Sequence, residues 1–166
     1  MIVAVLGNGP SRKVYETSTT SYDLIIGCNI PWTTVDETVI LDEDIINLMM
    51  KNHDLIKVPI WFGKRAWHYL ESCRKDRYFT HLFKGWIEHK DKYSSGHWAV
   101  IKAIESGATK IDVYGMDSYW EDTVESITHQ IVPNTNADVK NITQWRENWK
   151  KVLDINPDIR VEFLKK

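Results

Sequence analysis

The run Ile2-Val3-Ala4-Val5-Leu6, followed at once by Gly7-Asn8-Gly9-Pro10-Ser11, decides how this chain is read. Five consecutive apolar residues, three of them β-branched, have the length of a strand buried on both faces. The glycines, asparagine and proline behind them close that strand in a tight loop. The same pattern then recurs along the chain. Residues 22–26 are closed by Gly27-Cys28-Asn29, residues 38–41 by Asp42-Glu43-Asp44, and residues 58–62 by Gly63. Lys110–Tyr114 ends at Gly115-Met116-Asp117, and residues 159–164 form a last apolar run. Between these runs lie segments of helical period. Ile45, Leu48 and Met49 share one face, residues 65–75 form a second helix, and residues 95–106 a third. The third has Ser94 or Ser95 to cap its start, Gly107 to stop it, and a stripe of Val100, Ile101 and Ile104. A fourth covers residues 142–153 with Trp145, Trp149 and Val152, whereas residues 78–89 read as strand or loop. Strands alternating with helices predict an α/β fold: a Rossmann-like, doubly wound, mostly parallel sheet with helices on both faces.

Composition bounds the function. A length of 166 residues suits a single domain over 1–166, with no repeat, low-complexity segment or linker to divide it. Hydrophobic residues make up 43% and charged residues 27%, which is ordinary globular usage. With 21 basic and 23 acidic residues, the net charge of −2 does not point to nucleic acid. No apolar run reaches the ~20 residues of a membrane span. Met1 leads into the first strand without a basic lead, so the expectation is a soluble, cytoplasmic protein. Cys28 and Cys73 form neither a disulfide framework nor a metal-type spacing. Charge is nevertheless in blocks. Residues 14–50 carry seven acids and no Lys or Arg, residues 51–102 carry eleven bases against five acids, and residues 103–138 one base against seven acids. Such blocks can draw an anion into a cleft or simply mix as solvated faces. Eight tryptophans serve packing first, and leave room for an interface between copies of the chain.

In an open α/β sheet, ligands bind beyond the carboxyl ends of the strands, where strand order reverses. Four such ends here carry small or polar residues: Gly7, Asn8, Gly9 and Ser11; Asn29 behind Cys28; Asp42 with Asp44; and Asp117 behind Gly115. Glycine lets a backbone approach a ligand and lets amides converge on an oxyanion. Each asparagine offers a donor and an acceptor to a base or a ribose. All are also ordinary turn residues. Ser94, Ser95 and Gly96 open the third helix, where free amides and the macrodipole attract phosphate, or where a plain N-cap suffices. Gly7 begins neither a Walker loop nor the three-glycine dinucleotide fingerprint, because Ser11-Arg12-Lys13 stands where the third glycine would be. Asp42 and Asp44 could hold Mg2+ or simply start a helix.

The order Gly-Asn-Gly-Pro-Ser (7–11), Gly-Cys-Asn (27–29), Ser-Ser-Gly (94–96) and Gly-Met-Asp-Ser-Tyr (115–119) resembles the bacterial CMP-sialic-acid-dependent sialyltransferases. It also resembles a family of uncharacterised and motility-linked proteins that share their nucleotide-binding core. The match spans about residues 1–119. The resemblance implies that Asn8 and Asn29 contact a cytidine nucleotide and that Ser94, Ser95 and Gly96 line the nucleotide and sugar. It further implies that Tyr119 stabilises the departing phosphate without a metal, and that a downstream histidine, His129, takes the acceptor proton. A straight overlay puts Pro133 at the base's position with His129 one turn earlier, and no tyrosine follows Tyr119 to supply the family's second phosphate contact. His97 and His129 are the histidines near the proposed cleft, and either can be an ordinary structural histidine.

The expected function is that of a small CMP-sugar glycosyltransferase-like protein, with a nucleotide or nucleotide-sugar as partner and no required cofactor. Two alternatives stand beside it. One is a Mg-dependent diphosphotransferase on a related core, using Asp42 and Asp44. The other is a non-catalytic nucleotide-binding protein.

Overall fold

The computed structural model describes residues 1–88, 92–122, 125–128 and 139–165. Seven strands form one sheet in the order β5-β4-β3-β2-β1-β6-β7. They are β1 (Ile2–Leu6), β2 (Leu24–Cys28), β3 (Glu37–Ile40), β4 (Ile60–Gly63), β5 (Phe83–Ile87), β6 (Lys110–Tyr114) and β7 (Arg160–Leu164). Every neighbouring pair is parallel. From β1 the chain steps outward to β5, then returns across the sheet through a helix and adds β6 and β7 on the other side of β1. The crevice of a doubly wound fold therefore opens between the carboxyl ends of β1 and β6.

The pleat explains why these strands are apolar along their whole length. Val3, Val5, Ile111 and Val113 face one side, where they meet α4 (Ser95–Glu105) and α5 (Ile142–Ile155) through Ala99, Val100, Ala103, Trp149 and Val152. Ala4, Leu6 and Tyr114 face the other side, against Val14 and Tyr15 around the single turn of α1 (Lys13–Glu16). Farther along that side, Ile40 and Phe62 pack under α2 (Glu43–Lys51) and α3 (Lys64–Ser72) through Ile46, Met49, Trp67 and Leu70. Helices thus cover both faces. Each fully buried aliphatic or aromatic side chain of this kind contributes roughly 1.5–3 kcal/mol. Among the described residues no helix is long and apolar enough to cross a membrane.

Several boundaries differ from the sequence reading: β4 begins at Ile60 and includes Gly63, which was expected to stop it, and α3 runs from Lys64 to Ser72, short of residue 75. β2 begins two residues late and runs through Gly27 to Cys28, because Gly27 is an interior strand residue: a Cβ there would lie 3.3 Å from Thr38 and Val35. The ambiguous stretch after residue 78 resolves into a short 3-10 turn followed by β5, whose register with β4 is shifted at Trp61.

Candidate functional site

The glycine loop after β1 and the turn after β6 are joined to each other more tightly than their sequences suggest. Gly7 N–H donates to the Tyr114 carbonyl (2.7 Å), and Gly9 N–H to the Gly115 carbonyl (2.8 Å). Gly115 has φ +68°, and a Cβ on it would lie 2.5 Å from the Gly7 oxygen, so both its conformation and its space demand glycine. At Gly9 a Cβ would fall 2.0 Å from an Asp117 carboxylate oxygen. That carboxylate accepts from the backbone N–H and hydroxyl of Ser11 (3.1 Å each). Ser11 and Asp117 therefore hold the two loops together. The Gly7, Gly9 and Ser11 amides are already bonded within the protein, and the loop is not an open nest for phosphate.

Asn8 stands between these bonds. Its side chain is 7% exposed, and its Nδ2 donates both to the Cys28 carbonyl at the end of β2 and to Thr128 Oγ1 (2.9 Å each). The Cys28 carbonyl can only accept, which fixes which end of the amide is nitrogen. Asn8 Oδ1 is consequently a buried acceptor, and it has no hydrogen-bond partner among the described residues. The Asn8 carbonyl accepts the Ile127 N–H (2.9 Å), so one residue ties the 125–128 segment to the crevice at two points. Arg12 aims its guanidinium at the Asn8 and Gly9 carbonyls (3.4 and 3.3 Å), and Trp32 Nε1 donates to the Gly7 carbonyl (3.0 Å).

On the neighbouring strand, Asn29 takes the left-handed conformation (φ +58°), which asparagine tolerates better than most residues. This turn brings its Oδ1 to the hydroxyl of Ser95, which donates at 3.2 Å and joins the β2 end to the start of α4. At that start Ser94 is the N-cap, and its N–H donates to His97 Nδ1 (3.0 Å). His97 Nε2–H in turn donates to the Trp145 carbonyl of α5 (2.9 Å). The ring, wholly buried, lies between Tyr93 and Trp149. Burial lowers its pKa to about 4, only partly opposed by the bond to Trp145. Both nitrogens are engaged, so this neutral histidine fixes α4 against α5 and is not placed to take a proton from a substrate. Gly96 lets the helix start close on its surroundings: a Cβ would meet Met116 Cε at 2.5 Å. Met116 also abuts Gly7, filling the space between the β1 loop and α4.

The remaining candidates divide. Tyr119 follows the β6 turn, and its ring stacks on Phe163 (3.9 Å, 11°) and meets Trp149 edge-on. Arg146 of α5 steadies that turn, donating from Nε to the Ser118 carbonyl (3.0 Å) and pairing with Asp122 (3.1 Å). His129 lies outside the described residues. Asp42 and Asp44 sit at the N-cap and first turn of α2, beyond β3. Burial and then the Asp44 charge raise the Asp42 pKa. Among the described residues no three metal-ligating side chains come together. Cys28, buried, has its thiol pushed up to about 12 and is unreactive at neutral pH. Thr128, Arg12, Trp32 and Met116 are site residues that the sequence did not reveal. Thr128, Trp32 and Met116 are recognised only through partners distant along the chain, and Arg12 only through the carbonyls of Asn8 and Gly9 just before it.

No family model and no curated protein matches the chain. Solved structures similar to it include two sialyltransferase complexes. The sialyltransferase CST-II in complex with a trisaccharide acceptor and CMP aligns with a TM-score of 0.58 at 16% identity, over 99% of this chain and 81% of that one. CstII from Campylobacter jejuni in complex with the substrate analogue CMP-3FNeuAc aligns with a TM-score of 0.53 at 14% identity, over 99% and 80%. At these identities the likeness is one of fold. It agrees with the resemblance drawn from the four loop motifs.

Proposed function

We propose that this chain binds a cytidine nucleotide or CMP-sugar at the β1/β6 crevice and acts as a small nucleotide-sugar glycosyltransferase. The observation that carries this reading is the Oδ1 of Asn8, buried and without a partner among the described residues. A buried acceptor left unmade costs about 1–3 kcal/mol, so a ligand that brings a hydroxyl or amino hydrogen to it recovers that energy. A phosphate oxygen has no hydrogen to give. Asn8 therefore suits the ribose, the sugar or the exocyclic amine of cytosine, and the phosphate belongs near the first-turn amides of α4. The solved sialyltransferases of the same fold, complexed with CMP and with CMP-3FNeuAc, support the choice of nucleotide.

In this reading displacement at the anomeric carbon leaves negative charge on the departing CMP phosphate, and the Tyr119 hydroxyl stabilises that charge. His129, as the resemblance implies, takes the acceptor proton. No metal is required. The test is calorimetry with CMP, CDP, UDP, ATP and GDP, followed by CMP release from CMP-sugars with and without acceptors. Tyr119→Phe should lower turnover while leaving donor affinity nearly unchanged, because only interactions stronger in the transition state speed chemistry. If the protein binds CMP but releases none from any CMP-sugar, it is a binding module. If it binds no cytidine nucleotide, the reading fails.

A further inference from the structure

Seven of the eight tryptophans have a ring, cation or side-chain hydrogen-bond partner among the described residues. The indole of Trp145 has none there, and it joins none of the three apolar cores. Its place in the helix makes that unusual. Ile142, Trp145, Trp149 and Val152 share the inward face of α5 at helical spacing. Ile142, Trp149 and Val152 are buried, and so is Asn148 beside them, yet Trp145 is only half-buried. Protein interiors are close-packed, so an inward side chain with buried neighbours above, below and beside it that still meets solvent faces an opening.

Four contacts place that opening. The Trp145 carbonyl accepts from His97 of α4 (2.9 Å), and Asn148 Nδ2 donates to the Lys92 carbonyl (3.3 Å) just ahead of Ser94. On the other side Arg146 donates to the Ser118 carbonyl (3.0 Å), and one turn below Trp149 meets the Tyr119 ring edge-on (6.5 Å). Trp145 therefore stands between the α4 start and the Tyr119 turn, the two groups given to the donor phosphate. Among the described residues neither Asn8 nor Asn29 bonds to α5.

We propose that Trp145 is the platform on which the sugar of the nucleotide-sugar lies, an inference that rests on the CMP-sugar reading above. The donor is linear: nucleoside, phosphate, sugar. With the nucleoside at Asn8 and Asn29 and the phosphate at the α4 start, the group beside the phosphate and away from the nucleoside is the sugar. The face of an indole carries partial negative charge, and the C–H groups along one face of a pyranose carry partial positive charge. A ring kept free of partners inside an otherwise packed helix face suits that contact, and it needs no further charge.

The experiment is calorimetry on the full chain with CMP and with CMP-3FNeuAc. The unaltered chain should bind CMP-3FNeuAc more tightly than CMP. Trp145→Ala should weaken CMP-3FNeuAc roughly tenfold and leave CMP within about twofold, which also shows that the variant is folded. Trp145→Phe, which keeps an aromatic face, should restore most of the margin. Trp145→Leu, which keeps apolar bulk without that face, should not, whereas a merely structural role would be met by leucine as well. The proposal is overturned if both ligands weaken equally, if CMP-3FNeuAc is indifferent to Trp145→Ala, or if leucine serves as well as phenylalanine. It is also overturned if the unaltered chain binds CMP-3FNeuAc no more tightly than CMP. In each of these cases CMP binding, and with it the nucleotide reading, still stands; a chain that binds neither ligand removes both.

Discussion

Asn8, Asn29 and His97 show how one side chain can be asked for structure and for binding at once. Asn8 donates twice to the protein, and its buried Oδ1 has no partner among the described residues. Asn8→Ala should therefore lower stability by about 1–3 kcal/mol as well as abolish nucleotide binding, because the Cys28 carbonyl and Thr128 hydroxyl lose their donor. Denaturant unfolding and calorimetry on the same sample separate the two effects. Asn29 behaves differently. Its left-handed backbone is open to glycine, so Asn29→Gly should cost only about 1 kcal/mol, for the bond from the buried Ser95 hydroxyl, while weakening nucleotide binding by about 1–3 kcal/mol. His97 carries a pH signature. Its pKa falls from 6.5 to about 4 on folding, so the unfolded chain takes up a proton that the folded chain refuses. The stability this ring contributes is complete above pH ~7 and is lost as the pH drops from 6.5 towards 4, by on the order of 3 kcal/mol in all. His97→Gln should flatten the stability profile in that window; an unchanged slope would remove the histidine from this role. Asparagine and glycine at strand ends were legible in the sequence as binding candidates. That His97 is a strut was not, because the evidence for it is the Trp145 carbonyl, 48 residues farther along.

At the scale of elements, legibility followed burial on both faces. Ile2–Leu6 and Lys110–Tyr114 were read to the residue because such central strands are uninterrupted apolar runs with sharp loops behind them. The edge strand β5 was ambiguous because Lys84, Gly85 and Trp86 break both possible periods. The single turn of α1 gives no periodic pattern at all. The loops beyond β1 and β6 were each expected to serve the ligand separately, yet their amides and the Ser11–Asp117 bonds are spent on each other. A junction of that kind depends on close backbone approach, which no single segment encodes. It makes a sharp prediction. Gly115→Ala combines a left-handed conformation with a clash at 2.5 Å, so the loops must part. A loss of about 2–4 kcal/mol in stability is expected, together with loss of nucleotide binding even at low temperature, where the variant remains folded. Thermal unfolding and calorimetry at 10 °C would show both, and a variant with normal affinity would place the ligand away from this junction.

For the whole molecule the question is whether 1–166 behaves as one unit. The α4 and α5 side and the α2 and α3 side have separate cores, but they are covers on the same strands. Val39 lies in the first core and its neighbour Ile40 in the second. Neither core can lose its sheet while the other keeps it. Unfolding should therefore be a single transition whose calorimetric and van't Hoff enthalpies agree, with a value of roughly 115 kcal/mol near 60 °C for a chain of this length. A ligand that binds only the folded chain raises that transition without splitting it. At a hundred times its dissociation constant CMP should add about 2.7 kcal/mol, or about 5–10 °C at this size. Because the crevice lies over β1, β2 and β6 while α2, α3 and β5 lie to one side, a shift confined to one of two resolved transitions would show that the outer half folds independently. A single transition that moves as a whole would mean that the nucleotide holds the entire sheet, out to the β5 edge.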